Sequence, residues 1–221
     1  QRPEEIDPAT TARVPVFLSR DCRYFQDPWQ GMPAEGYTPM FEAMLDHPNI
    51  TVELGTEGLS RLTLAEGGAM LLDGAPFEGE VIYTGPADGL FGRRFGALPY
   101  RTLDFCFETH ACDFWQSHGT VNYTVDEDYT RITEFKYLTG QTLPGVTTIV
   151  KEYSRAYTGA PEEIPYYAII NPENTALYEQ YRTLAAGWPR LHLLGRLAEY
   201  KYYNMDVIAG RALALCDALL K

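Results

Sequence analysis

The residues best suited to chemistry lie near the end of the chain. In "GRLAEYKYYNM", between Gly195 and Met205, an arginine is followed by three closely spaced tyrosines. The guanidinium of Arg196 can clamp a phosphate through two parallel hydrogen bonds. Tyrosine hydroxyls can donate to phosphate oxygens without adding charge. The same residues also suit a packing corner in which Arg196 pairs with Glu199, and the spacing alone does not choose. A second candidate is Arg131 in "YTRITEFKYL". Strand alternation would put Tyr129, Arg131, Thr133, Phe135 and Tyr137 on one face. An arginine there is either a snorkelling edge residue or the floor of an anion site.

The elements that must hold these groups follow from periodicity. "LHLLG" reads as a buried strand, then comes a loop, then a helix from about residue 205. Asn204 is its expected N-cap, with Ile208, Ala212, Leu215 and Leu219 as the inner stripe. Ligands of α/β sheets bind at the carboxyl ends of strands, and a helix start favours anions. Upstream, 37–46 reads as a short amphipathic helix, 50–56 as a strand, 57–80 as glycine-rich and weakly patterned, and 80–86 as a second short apolar strand; such apolar strands after a helix suggest buried parallel pairing. From about residue 100 the period changes to strict alternation, with Leu103, Phe105 and Phe107 on one face. The strands that follow are too closely spaced for crossovers and must run mostly antiparallel. At 171 a helix begins, capped by Asn171, with Pro172 in its first turn and Leu177, Tyr181 and Leu184 as its stripe. The expected fold class is α/β (α+β). An antiparallel sheet domain over 100–172 is inserted into a discontinuous α/β domain made of 46–99 and 173–221.

Composition narrows the function. The 221 residues carry a net charge of −12, and no basic stripe suits nucleic acid. A negative surface also repels anions at long range, so any phosphate site must be a local island of arginines. No apolar run reaches the ~20 residues of a membrane span. The cysteines at 22, 106, 112 and 216 form no CxxC pair and fit reduced thiols in a cytoplasmic setting. The four histidines show no metal-ligand spacing, so no metal is expected.

These words resemble one family. "GRLAEYKYYNM", "VIYTGPADGLFGRRFGALPYRTLDF", "VNYT…YTRITEFKYL", "RYFQDPWQGMPAEGYTPMFEAML" and "PYYAII" are similar to signatures of UDP-galactopyranose mutases. They occur in family order from Arg13 to the last helix. The resemblance implies a flavin-binding α/β domain interrupted by a helical domain and an antiparallel sheet domain. It implies interconversion of UDP-galactopyranose and UDP-galactofuranose, a step of cell wall biosynthesis. In that chemistry the N5 of reduced FAD attacks the anomeric carbon, UDP departs, and the sugar ring reopens and recloses at another size.

Carried over residue by residue, the resemblance assigns the diphosphate clamps to Arg13 in "RVPVF" and Arg131 in "YTRI". The phosphate-contacting tyrosines match Tyr24, Tyr167 and Tyr202, while Tyr166, Tyr200 and Tyr203 are expected to pack. Arg94 and Asn122 match positions near substrate and flavin. Arg196 matches a flavin contact, and Met205 lies where the last helix meets the cofactor. Arg13 can equally be a solvated residue of a frayed segment. Three positions depart from the family pattern: Asn204 stands where the family has aspartate, "IPYYA" replaces "EPYYP", and Phe17 replaces an arginine.

No GxGxxG dinucleotide fingerprint follows a strand in this chain. The sequence is therefore expected to be the later part of such an enzyme, carrying no FAD and inactive when alone. Three readings remain: part of a flavin-dependent mutase acting on UDP-galactose, a flavin-free nucleotide-sugar (diphosphate) binding module, or a structural domain. A homodimer stays open as its assembly.

Overall fold

The structure, a computed structural model, describes residues 18–20 and 25–221. In chain order its regular elements begin with helices α1 (Tyr37–Leu45) and α2 (Gly58–Arg61), followed by strands β1 (Leu62–Leu64), β2 (Met70–Leu72), β3 (Ala75–Phe77) and β4 (Val81–Tyr83). Then come α3 (Ala87–Leu90), the long strand β5 (Tyr100–His110), β6 (Thr120–Asn122), β7 (Arg131–Glu134), α4 (Phe135–Thr139) and β8 (Thr147–Ala156). The chain closes with β9 (Tyr167–Ala168), α5 (Pro172–Ala185), β10 (Leu191–Leu193) and α6 (Met205–Leu219). The fold is a mixed α/β one with antiparallel sheets, and the chain divides into two compact units.

The first unit is discontinuous and contains Thr56–Arg101 and Tyr157–Lys221. Its strand β4 pairs in parallel with β10, Val81 opposite Leu191 and Tyr83 opposite Leu193. Parallel pairing needs a long crossover, and here the intervening chain supplies it. Helix α5 starts as expected, with the Asn171 side chain accepting from the Asn174 amide at 2.7 Å and Pro172 at its first position. Its buried face is Asn174, Tyr178, Tyr181 and Ala185. Of the expected stripe Tyr181 is buried, but Leu177 and Leu184 are only half-buried and the neighbouring Tyr178 and Ala185 take their places. The reason is aromatic packing. The Tyr181 hydroxyl donates to Gly96 O at 2.6 Å and accepts from Phe95 N at 3.0 Å, so the tyrosine face satisfies buried backbone that leucine could not.

Three further expectations fail in this unit. The weakly patterned stretch 57–80 is regular structure. It forms the antiparallel sheet β1–β2–β3, and Trp188 donates from Nε1 to Ala65 O at 3.0 Å beside it. The inner stripe of α6 is not buried: Ile208 and Leu215 are half-covered, and no residue of the helix is buried. Asn204 has the extended backbone of an N-cap, and its carbonyl accepts from Ile208 N at 3.2 Å. Its side chain, however, makes no capping bond.

The second unit contains residues 25–55 and Thr102–Ala156. Its sheet has the order β6–β7–β8–β5, with β6–β7 and β7–β8 antiparallel, as the close spacing predicts. Helix α1 forms as expected, though none of its residues is buried. Residues 50–56 are not a strand, and Ile50, Val52 and Leu54 are exposed. Alternation without a partner strand does not make a ladder. The expected strand through Tyr137 ends at Glu134, and Phe135–Thr139 is helical. Gly140, in the left-handed region at φ 69°, closes that helix by donating to Lys136 O. Glu134, fully buried, anchors the break. Its carboxylate accepts from Thr147 Oγ1 at 2.6 Å, Trp115 N at 2.9 Å and Gln116 N at 3.0 Å. Burial opposes its charge, but these donors and the nearby Lys136 ammonium outweigh burial and hold its carboxyl below the ordinary range.

Candidate functional site

In the first unit, β4 and β10 end side by side and run into two glycine-bearing loops, Thr84–Pro86 and Leu194–Arg196. The second loop turns tightly. Lys201 N donates to Arg196 O at 3.0 Å and Tyr200 N to Leu197 O at 3.3 Å, with Tyr200 in the left-handed region at φ 48°. The turn directs Arg196 onto two tyrosines. Its guanidinium carbon lies 4.2 Å from the Tyr202 ring centre and 5.5 Å from that of Tyr167, and one nitrogen donates to Tyr166 O at 3.2 Å. The Tyr167 and Tyr202 rings meet edge to face at 5.3 Å. Arg196, Tyr167 and Tyr202 thus come together as one stack. Stacking uses the faces of the guanidinium and leaves its in-plane N–H groups for oxygen acceptors.

The alternative pairing of Arg196 with Glu199 does not form. Glu199, 5% exposed, accepts instead from Arg211 Nε at 3.0 Å, Tyr203 Oη at 2.6 Å and Gly195 N at 3.1 Å, and Arg211 also donates to its second oxygen. Burial raises the Glu199 pKa, but the Tyr203, Arg211 and Gly195 donors outweigh burial, so its carboxyl sits below the usual range. Burial and the same carboxylate push the Tyr203 phenol well up. Tyr203 therefore keeps its proton as a donor to Glu199. Tyr200 is 3% exposed and stacks on Tyr178 at 5.8 Å.

Beside the first loop lies a cavity of about 810 Å³ whose lining includes Tyr83, Thr84, Gly85, Asp88 and Tyr157. The Tyr83 hydroxyl donates to Pro86 O at 3.0 Å, and burial with the Asp88 and Glu57 charges pushes its pKa up to about 12. Asp88 is buried. One carboxylate oxygen accepts from Leu98 N at 3.2 Å, and the other, Oδ1, has no partner. Arg94 does not join the Arg196 stack. Its guanidinium sits 5.9 Å over Phe95, and it lines a separate cavity of about 430 Å³ with Leu184 and Trp188. Met205 opens α6 and is 67% exposed.

The second unit holds a second group. The register sets Asn122 opposite Arg131 and Arg131 opposite Glu152, three polar residues in one row across β6, β7 and β8. Arg131 Nε donates to Asn122 Oδ1 at 2.9 Å, and its Nη1 is 3.6 Å from Glu152 Oε2. Arg131 and Asn122 are thus paired, as two of the expected site residues. Glu152 was missed. Its place in the row depends on strand register, which "TTIVKEYS" alone does not reveal. The sequence offers Glu199 only as a partner of Arg196, and its partner in the structure is Arg211. Arg13 and Tyr24 lie outside the described residues. Among the described residues, no cluster of His, Cys, Asp or Glu could hold a metal, and no helix is long and apolar enough to cross a membrane.

Comparison with known proteins supplies the context for both groups. A family model described as UDP-galactopyranose mutase matches residues 1–202. The chain is 38% identical to a probable UDP-galactopyranose mutase of Klebsiella pneumoniae over 99% of its own length and 53% of the relative's. It is 37% identical to the UDP-galactopyranose mutase of Mycoplasma pneumoniae, over 99% and 55% of the two lengths. It is 35% identical to the dTDP-fucopyranose mutase of Escherichia coli, over 99% and 56%. The chain spans about half the length of these curated relatives.

Proposed function

Since the chain belongs to the UDP-galactopyranose mutase family, we propose that it forms the later part of an enzyme that interconverts UDP-galactopyranose and UDP-galactofuranose. The single observation that carries this reading is the Tyr167–Arg196–Tyr202 stack. It is a donor cluster assembled from β9 and the segment that follows the parallel strand β10, in a chain of net charge −12. Such a cluster suits a diphosphate, which gains negative charge on the β-phosphate oxygen that carried the sugar as the sugar leaves. In the first unit Tyr167 and Tyr202 offer neutral hydrogen-bond donors, and in the second unit Arg131 offers guanidinium charge to an anion. Asn122 holds the Arg131 fork in plane, and Glu152 tempers its charge.

The enzyme would use reduced FAD, bound by Arg196 and Met205 together with residues outside this chain. The first unit fits such a group. The cavity beside Thr84 and Gly85 contains Asp88, whose unpartnered carboxylate oxygen suits a hydroxyl donor of a polyhydroxylated cofactor. When bound, the reduced flavin supplies the nucleophile toward the anomeric carbon. This chain's residues then bind and orient the departing UDP and return it to the rearranged sugar. The reading carries with it a cytoplasmic location and a role in supplying cell wall galactofuranose.

The test is turnover of UDP-galactofuranose by the reduced parent enzyme, with Tyr202→Phe and Arg196→Lys beside the wild type. Both variants are expected to lose at least about tenfold in kcat/KM, equivalent to 1.4 kcal/mol of barrier. Wild-type rates in both would refute the assignment. This chain alone is expected to bind no stoichiometric FAD, which its absorbance spectrum would show.

A further inference from the structure

Tyr200 occupies a position where a bulky residue is a liability. The hydrogen bonds Lys201 N to Arg196 O and Tyr200 N to Leu197 O are the pair that closes a left-handed turn, and the residue at its left-handed position is ordinarily glycine. Tyr200 stands there at φ 48°, in a region costly for a residue with a large side chain. A turn that needed only to reverse the chain would be better served by glycine. The ring and hydroxyl of Tyr200 must therefore give something back.

What they give is a tie between the segments that carry the stack. The hydroxyl lies 2.6 Å from Pro99 O and 3.1 Å from Ile169 O, donating between the two carbonyls. Ile169 follows β9, two residues beyond Tyr167, and Tyr202 follows Tyr200 by two. The ring is held between Tyr178, stacked at 5.8 Å, and Tyr100, edge-on at 5.3 Å. One buried phenol thus fixes the separation of the strand that bears Tyr167 from the loop that bears Arg196 and Tyr202. Burial pushes its pKa well up, so the proton stays on the oxygen.

Resting on the mutase reading above, we propose that Tyr200 is a positioning residue: its hydroxyl sets the Tyr167–Arg196–Tyr202 stack against the diphosphate without touching substrate. The hydroxyl is not needed to satisfy the carbonyls it meets. Pro99 O also accepts from Ile169 N at 3.2 Å, and Ile169 O also accepts from Asn174 Nδ2 at 2.7 Å. Tyr200→Phe keeps the ring, the stacking and the turn, and leaves neither carbonyl without a donor.

The experiment is steady-state kinetics of the reduced parent enzyme with Tyr200→Phe, Tyr202→Phe and the double variant, normalised to bound flavin, alongside thermal melts. Tyr200→Phe is expected to lower kcat by about ten- to a hundredfold, the scale of a misplaced binding group, with KM changed less than threefold. Its melting temperature should move by no more than about 4 °C. Adding it to Tyr202→Phe should cost little more, because Tyr200 acts through the stack. Wild-type kcat in Tyr200→Phe, with Tyr202→Phe still impaired, overturns the proposal and leaves the mutase reading standing. A loss of rate that only tracks a loss of folded protein overturns it as well, in favour of a purely structural role. If Tyr202→Phe is also unimpaired, the diphosphate site itself is wrongly placed.

Discussion

Replacing Glu199 with glutamine tests how the loop that carries Arg196 and Tyr202 is held. The carboxylate is 5% exposed and receives donors from Gly195, Tyr203 and Arg211. Hydrogen bonds to a charged group contribute roughly 1.5–3 kcal/mol each. Glutamine keeps the shape and one acceptor oxygen, so one to two of these bonds are lost or weakened. The side chain of Arg211 is 44% exposed and can turn to water, which lowers the cost of stranding its charge. The expected loss for Glu199→Gln is about 2 kcal/mol at pH 7. Because the folded-state pKa of Glu199 is depressed, its contribution is fully present above the unfolded value of about 4.3 and is lost as pH falls through the folded value. Glutamine does not titrate. The stability gap between wild type and variant should therefore be constant from pH 7 down to about 5 and close progressively below about 4.3. Urea unfolding of this chain at a series of pH values measures it, and amide exchange at Gly195 reports the local opening. A gap under about 0.5 kcal/mol at pH 7, or one that persists unchanged in acid, would refute the reasoning.

Two further outcomes follow from the same geometry. Arg131→Ala in the parent enzyme should cost about 2–4 kcal/mol of transition-state stabilisation with little change in folding; turnover within about threefold of wild type would remove Arg131 from the site. Asn204→Asp should stabilise α6 by about 0.3–1 kcal/mol through the helix dipole, since the Asn204 side chain makes no capping bond that the change could break; a loss of stability in urea unfolding would contradict this.

The elements most legible in the sequence were those with local causes. Asn171, Pro172 and the run that follows specify α5 because the cap, the fixed proline φ and the helical period all act within one or two turns. The parallel pairing of β4 and β10 was legible as a class, since short apolar strands flanked by helices have few other ways to be buried. Three segments were misread because their state depends on partners distant in sequence. "FKYLTG" alternates like a strand, yet Glu134 gathers donors from Trp115, Gln116 and Thr147 and stops the ladder, and Gly140 then closes a helix. Residues 50–56 alternate with no ladder to join. The strands within 57–80 are three residues each, too short for a period to register, and their pairing is set by glycine turns.

For the candidate site, residue identity was readable and pairing was not. The arginine and tyrosines of "GRLAEYKYYNM" announce anion chemistry by type, and Tyr167 joins them only because "PYY" returns beside the loop. Glu199 shows the limit most clearly. Three residues from Arg196 in sequence, it was the obvious ion-pair partner, yet it pairs with Arg211, twelve residues away. The left-handed turn at Tyr200 decides this. By reversing the chain it sends Arg196 toward Tyr202 and leaves Glu199 facing α6 and the Gly195 amide. A tyrosine in a left-handed position is invisible to pattern reading, because its conformation is imposed by the tertiary bonds of its hydroxyl and ring. The feature that organises the stack is therefore one that no local rule predicts, which is the signature expected of a strained position retained for what it places.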